Sequence, residues 1–247
     1  MHACWLPTTA SYVRPDTPVS KPALVSPSIE HVFCQVINYA NNQSRAKELL
    51  DELYQIPSTV STGQAPRFEA IQADVGDRSS IQRLIQETVS KFGRLDVCVS
   101  NVGWTRVTNF ANLDEGMVDE DWDRCLLYNV KSHLWLMHAA REELERTEGA
   151  FITTASVAGV KPSGSSLPYA VTKAAAIHLS KALAVICSPK IRVNSVSPGL
   201  LLTEWGMKFG PEKIEAATNA TKLKRLATVE VRGSRNPRHP VFFTDEF

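Results

Sequence analysis

Five short apolar runs alternate along this chain with five stretches of helical periodicity, and no other feature limits the possible folds as much. The runs cover 31–40 (HVFCQVINYA), 68–73, 95–100 (LDVCVS), 150–155 (AFITTA) and 190–195. The helical stretches are 44–54, 79–92, a region opened by Asp121-Trp122 that continues through Asn129 to about Arg146, 167–187, and one from about Pro211 to Leu226. A repeated β-α order dictates parallel strands with helices on both faces, because each crossover must pack back onto the sheet. The segment 95–100 is apolar almost throughout, as expected of a strand covered on both sides. The expected fold class is α/β, a doubly wound parallel sheet in one domain spanning 31–230. The flanks differ. Residues 1–30 carry prolines at 7, 15, 18, 22 and 27 and are expected to be poorly structured, and 231–247 reads as an irregular tail.

Composition removes several function classes. A formal net charge of +1 gives no electrostatic basis for binding nucleic acid or an anionic membrane. No uninterrupted apolar run reaches the roughly 20 residues that cross a bilayer. The N-terminus lacks both a basic segment and a continuous apolar one, so a cytoplasmic location is expected. Its hydroxyl-rich, acid-poor character keeps organelle targeting open. The five cysteines, Cys4, Cys34, Cys98, Cys125 and Cys187, are widely spaced and read as reduced thiols, and no Cys/His cluster suggests a metal. The glycosylation patterns at Asn42 and Asn219 are read as chance.

Chemistry is concentrated between 150 and 187. Ser156 follows the strand 150–155, a loop rich in Gly, Ser and Pro comes next, and a helix begins near Pro168. Tyr169 and Lys173, four apart, share one helix face. A free phenol has a pKa of about 10, too high for proton exchange near neutrality. A neighbouring ammonium is expected to lower it. A serine hydroxyl can donate to a carbonyl oxygen on which negative charge develops. The set can therefore protonate an alkoxide formed by hydride delivery, or run the reverse. Further polar and glycine residues fall at the other strand ends: Asp74, the Ser100-Asn101-Val102-Gly103 turn, and Pro198-Gly199. Ligands of doubly wound sheets bind along that edge.

These motifs, in this order, resemble the short-chain dehydrogenase/reductase family, in particular its 3-oxoacyl-[acyl-carrier-protein] reductase-like members, over roughly 36–229. The resemblance implies a Rossmann-like fold and a nicotinamide cofactor. It implies that Asn129, Ser156, Tyr169 and Lys173 are catalytic, with Tyr169 the general acid/base, Ser156 polarising the substrate carbonyl, and Lys173 holding ribose hydroxyls. It also implies that Asp74 and Val75 contact adenine, that Asn101 and Gly103 pass close to the cofactor, and that Pro198, Gly199 and Thr203 clasp the nicotinamide amide. The end of the strand 31–40 offers Asn41 and Arg45 and no acid, which favours NADP, with NAD possible. The implied substrate is a small carbonyl or alcohol, and the implied assembly is a homodimer or homotetramer. The segment 200–211, with Trp205, Met207 and Phe209, is expected to form a lid.

Two departures from the family are visible. The family opens with a strand and a glycine-rich turn, T-G-x-x-x-G-x-G, at a helix N-terminus that receives pyrophosphate. Here no glycine precedes Gly63. The segment Lys21-Pro-Ala-Leu-Val25 reads as a remnant of that strand, with too few residues after it for a helical crossover. After Glu230 the family's last helix and strand give way to a basic, Pro-containing stretch, 231–240. The first β-α unit and the last strand are thus expected to be missing, as in an altered version of a once-complete reductase produced by splicing or a mispredicted gene model. The competing expectation is a catalytically impaired protein, unable to hold a dinucleotide and acting at most as an oligomerisation partner.

Overall fold

The computed structural model describes residues 9–13, 34–55, 66–203 and 206–227; of Thr9–Val13 it describes the backbone. Its strands are β1 (Thr9–Val13), β2 (Cys34–Tyr39), β3 (Phe68–Gln72), β4 (Val97–Ser100), β5 (Ala150–Thr154) and β6 (Arg192–Val196). Its helices are α1 (Gln43–Tyr54), α2 (Arg78–Phe92), α3 (Asp119–Leu126), α4 (Ser132–Thr147), α5 (Leu167–Ile186) and α6 (Pro211–Ala220). All five expected β-α pairs are present. The remnant strand 21–25, Trp205 and the tail 231–247 lie outside the described residues.

One sheet of order β3-β2-β1-β4-β5-β6 organises the molecule. The pairs β2–β3, β4–β5 and β5–β6 are parallel. The exception is β1, which lies antiparallel to both β2 and β4 and so departs from the all-parallel expectation. Its first residue, Thr9, pairs with Asn38 and Ser100, at the carboxyl ends of the parallel strands. Between β2 and β4 the sheet is therefore filled by a strand running the other way.

Strand alternation assigns the two faces. Cys98, Phe151 and Val193 point into the main core, where they meet Ile81 and Ile85 of α2, Leu136 and Leu144 of α4, and Leu183 of α5. Burying such side chains is the main favourable term, about 1.5–3 kcal/mol each. On β3, Ile71 packs with Leu84 and Phe92 of α2, whereas Phe68 stacks edge-on against Tyr54 of α1, so helices cover both faces.

Local chemistry sets the helix ends. Asp77 caps α2 by accepting from the Ser79 and Ser80 amides, and hydrogen bonds to those two serines hold its carboxyl at about 2. Gly93 ends α2 at φ 74°, a left-handed conformation that favours glycine. The last helix stops at Ala220, short of the expected Leu226. There Thr221 turns to extended backbone, and its hydroxyl donates to the Thr218 carbonyl at 2.9 Å and accepts the Arg225 amide, closing a turn. The twenty-residue α5 has a mean hydropathy of 1.2 over its most apolar stretch, but it carries buried Lys173 and packs on β5 and β6 as a core helix.

Candidate active site

The carboxyl end of β5 and the first turns of α5 build the centre of the site. Ser166 caps α5, its hydroxyl accepting the Tyr169 amide at 3.3 Å, and Pro168 occupies the first turn, where its missing N–H costs nothing. This start point places Tyr169 and Lys173 on the helix face toward the strand end. Ser156, in extended backbone, caps a short 3₁₀ turn at Val157–Gly159, its hydroxyl accepting the Ala158 amide at 3.2 Å. The same hydroxyl lies beside the Tyr169 phenol and favours its ionised form. Lys173 is buried, and its ammonium donates to the Thr154 carbonyl at 2.8 Å and sits 5.6 Å from the Tyr169 ring centre.

Asn129 lies where the helical region between 119 and 147 loosens into a π-turn, Leu127–Lys131. Its side chain is fully engaged. Oδ1 accepts the Trp104 amide at 2.7 Å, and Nδ2 donates to the Trp104 carbonyl at 3.0 Å and to the Thr172 hydroxyl at 2.9 Å. Gly103 closes the cluster: a Cβ there would stand 3.3 Å from Lys173 Nζ and 3.4 Å from Asn129 Oδ1. The structure thus brings Asn129, Ser156, Tyr169, Lys173 and Gly103 together.

The electrostatics depart from expectation at one residue. Lys173 was expected to lower the Tyr169 pKa, yet burial pushes the phenol up to about 12, with the nearby Cys125 adding to the rise and the Ser156 hydroxyl opposing it. The ammonium faces the Thr154 carbonyl, so burial prevails. Burial also lowers Lys173 to about 8. At pH 7 the pair is therefore a neutral phenol beside a mostly charged ammonium. Behind it, His133 of α4 shares a 2.6 Å hydrogen bond with Ser100, and burial, reinforced by the Lys173 charge, holds its ring down at about 3.

The remaining candidates spread along the same edge. Pro198 accepts the Val157 amide, which ties the chain after β6 to the Ser156 turn. Gly199 faces open space. Thr203 caps the short 3₁₀ turn Gly206–Phe209 through its hydroxyl and carbonyl, so the expected lid carries a helical turn. At β3, the Asp74 carboxylate accepts the Gly76 amide and its charge disfavours ionisation of the Tyr128 phenol, while Val75 is buried in the core, leaving its backbone for any ligand. Asn41 and Arg45 are exposed at the start of α1, with Arg45 3.9 Å from Glu48. They lie three strand positions from β5, about 14 Å across the sheet. An open cavity beside them is lined by Tyr39, Gln43, Ser44, Lys47, Leu50 and Ala70, away from the Tyr169 cluster. No group of His, Cys, Asp or Glu among the described residues is arranged to hold a metal.

Thr172, the Trp104 backbone, the Thr154 carbonyl and Tyr128 went unread in the sequence. A backbone group carries no residue signature, and a threonine beside a lysine in a helix carries little.

A nicotinamide dinucleotide fits this chain at one end. The Tyr169 phenol, the Lys173 ammonium and the open approach at Gly103 and Gly199 suit a ribose and a carboxamide. At the pyrophosphate position, the described residues offer the Thr9 end of an antiparallel strand in place of a glycine turn at a helix N-terminus.

Comparison with known proteins finds relatives over much of the chain. The family described as short chain dehydrogenase matches residues 31–213. A putative ketoacyl reductase of granaticin polyketide synthase from Streptomyces violaceoruber is 38% identical over 163 residues, 65% of each chain. A 3-oxoacyl-[acyl-carrier-protein] reductase of Staphylococcus aureus is 32% identical over 199 residues, 80% of this chain and 76% of that protein. The chain thus spans about two thirds to three quarters of these relatives. Among solved structures, a 7α-hydroxysteroid dehydrogenase complexed with NADH and 7-oxo glycochenodeoxycholic acid superposes with a TM-score of 0.67 at 28% identity, covering 78% of this chain and 71% of its own.

Proposed function

The chain belongs to the short-chain dehydrogenase family, and from that premise we propose that it interconverts a ketone or 3-oxoacyl group and the matching secondary alcohol, with a nicotinamide dinucleotide as hydride carrier. The observation that carries this reading is the convergence of Ser156, Tyr169, Lys173 and Asn129 at one strand end. When bound, the cofactor supplies or accepts the hydride; every other task falls to the chain. Ser156 donates a hydrogen bond to the substrate oxygen and orients it toward the phenol. Tyr169, neutral at pH 7, holds the proton that the developing alkoxide needs. Lys173, held at the Thr154 carbonyl, presents a positive charge that favours the phenolate left after transfer. Asn129 fixes the backbone of the loop at Trp104. Arg45, with no acid among residues 39–45, favours NADP over NAD. A homodimer or homotetramer in the cytoplasm is part of the same reading.

A second reading rests on β1. An antiparallel strand in the slot of the phosphate-binding strand favours a protein that keeps the catalytic residues but does not hold the dinucleotide. Titration of the full chain with NADPH and with NADH, by calorimetry, separates the two. Micromolar binding with NADPH ahead, followed by carbonyl reduction that Tyr169→Phe abolishes, is the expected result. A folded chain that binds neither nucleotide would overturn the enzymatic reading and leave the second one standing.

A further inference from the structure

The hydrogen bonds around Thr172 form a directional chain. Thr172 is wholly buried and lies on α5 between Tyr169 and Lys173. Its hydroxyl has one hydrogen, and the Pro168 carbonyl takes it at 2.7 Å. The oxygen is therefore left as an acceptor, and Asn129 must turn Nδ2 toward it. That choice fixes the carboxamide: the second Nδ2 hydrogen goes to the Trp104 carbonyl and Oδ1 receives the Trp104 amide. The Cys125 thiol, buried and neutral, also donates to the Trp104 carbonyl, at 3.5 Å, and lies against the Thr172 hydroxyl. Reversing the carboxamide would set two donors against each other at Trp104 and leave Thr172 without its partner.

Resting on the enzymatic reading above, we propose that Thr172 is a positioning residue: by fixing the Asn129 carboxamide it locks the Gly103–Trp104 backbone against α5 and sets how closely that loop covers the Lys173 ammonium. The contact at stake is tight, since the Gly103 backbone passes so near that an added Cβ would stand 3.3 Å from Nζ. The hydroxyl joins α5 to the π-turn, and the carboxamide it orients carries the join on to the loop after β4. The pair Tyr169 and Lys173 straddles the join, and a misplacement of about 1 Å in such a pair can cost on the order of 10²-fold in rate.

The groups that face Lys173 are Tyr169 on its own helix, Cys125 on α3, His133 on α4 and the Thr154 carbonyl of β5. Of these, Tyr169, Cys125 and His133 are all neutral at pH 7, so burial dominates the lysine titration. Loosening the loop admits water and must raise that titration from about 8 toward its ordinary value.

The test uses the full chain without cofactor, with ¹³C-labelled lysine and ¹⁵N-labelled asparagine followed by NMR. In the wild type, the Asn129 side-chain protons are expected to be protected from exchange and Lys173 to titrate near 8. Thr172→Val, close in shape but without the hydroxyl, should expose those protons and move Lys173 upward by a unit or more. Thr172→Ser, which restores the hydroxyl, should return both signals to the wild-type values. Should the valine variant fail to fold, Thr172→Ala is measured in its place. A variant without the hydroxyl that only melts earlier, with the carboxamide still protected and the lysine unmoved, would overturn the proposal. So would a wild-type Asn129 whose side-chain protons exchange freely. Neither readout requires turnover, so absence of carbonyl reduction would count against the enzymatic reading alone.

Discussion

Lys173 shows how a buried charge weighs on stability. Below pH 8 the ammonium is charged both folded and unfolded, and the lowering from 10.5 to about 8 corresponds to a burial cost of about 3 kcal/mol. Its hydrogen bond to Thr154 returns about 1 kcal/mol. Lys173→Met is therefore expected to stabilise the fold by about 1–2 kcal/mol at pH 7 while abolishing activity. The advantage should shrink as pH rises from 8 toward 10.5, because the wild-type lysine then sheds its proton in the folded state first. Urea unfolding at pH 7 and pH 10 checks this. His133 predicts the opposite limb. Its ring is held at about 3 against an ordinary 6.5, so the unfolded chain takes up a proton that the folded chain refuses. That difference removes about 5 kcal/mol of stability as pH falls from 6.5 to 3. His133→Val should lose less stability than the wild type over the same range; parallel losses would show that the buried ring takes no part in acid unfolding.

Among the elements, the turn that carries Ser156 packs directly against the backbone of α5. A Cβ at Gly159 would stand 2.5 Å from the Lys173 carbonyl carbon and 2.6 Å from the Ala174 nitrogen, and neither backbone atom can give way. Gly159→Ala should therefore push the Ser156 turn off α5, cost about 1–3 kcal/mol, and lower turnover more than it changes substrate binding. Equal stability by thermal melting, with kcat unchanged, would show that the turn yields freely. The convergence of Ser156, Tyr169 and Lys173 was legible because a strand end and a helical spacing of four place them on one edge. The π-turn was not. Leu127–Lys131 has an ordinary helical pattern, and what distinguishes it is an Asn129 side chain bonded to Trp104 and Thr172, partners 25 and 43 residues away. The Tyr169 titration was misread for a related reason: helical spacing shows that a lysine is near, but not that a strand carbonyl claims it or how much water is excluded.

At the scale of the whole molecule, the alternation of apolar runs and amphipathic stretches sufficed for the parallel strands and the helices on both faces, because each signal is local and repeated five times. The fate of the central slot was not legible. Thr9–Val13 lies in a Pro-rich stretch, and five residues without a hairpin turn give no hint of pairing with strands that follow 25 and 88 residues on. Opening that slot would leave the inner ladders of β2 and β4 unpaired, and a short extended segment in either direction can satisfy them. The direction matters for function, since it decides what meets a ligand at the carboxyl edge. Ala10, opposite Ile37 and Val99, is the residue on which to test this. Proline there removes a ladder donor in a central strand and cannot be relieved as it would be at an edge. Ala10→Pro is expected to lose about 3 kcal/mol or more, roughly 6–12 °C in Tm, and to associate at high concentration through the exposed edges of β2 and β4. Thermal melting and sedimentation check both effects. An unchanged Tm and a monodisperse chain would take β1 out of the centre of the sheet, and with it the structural case against a bound dinucleotide.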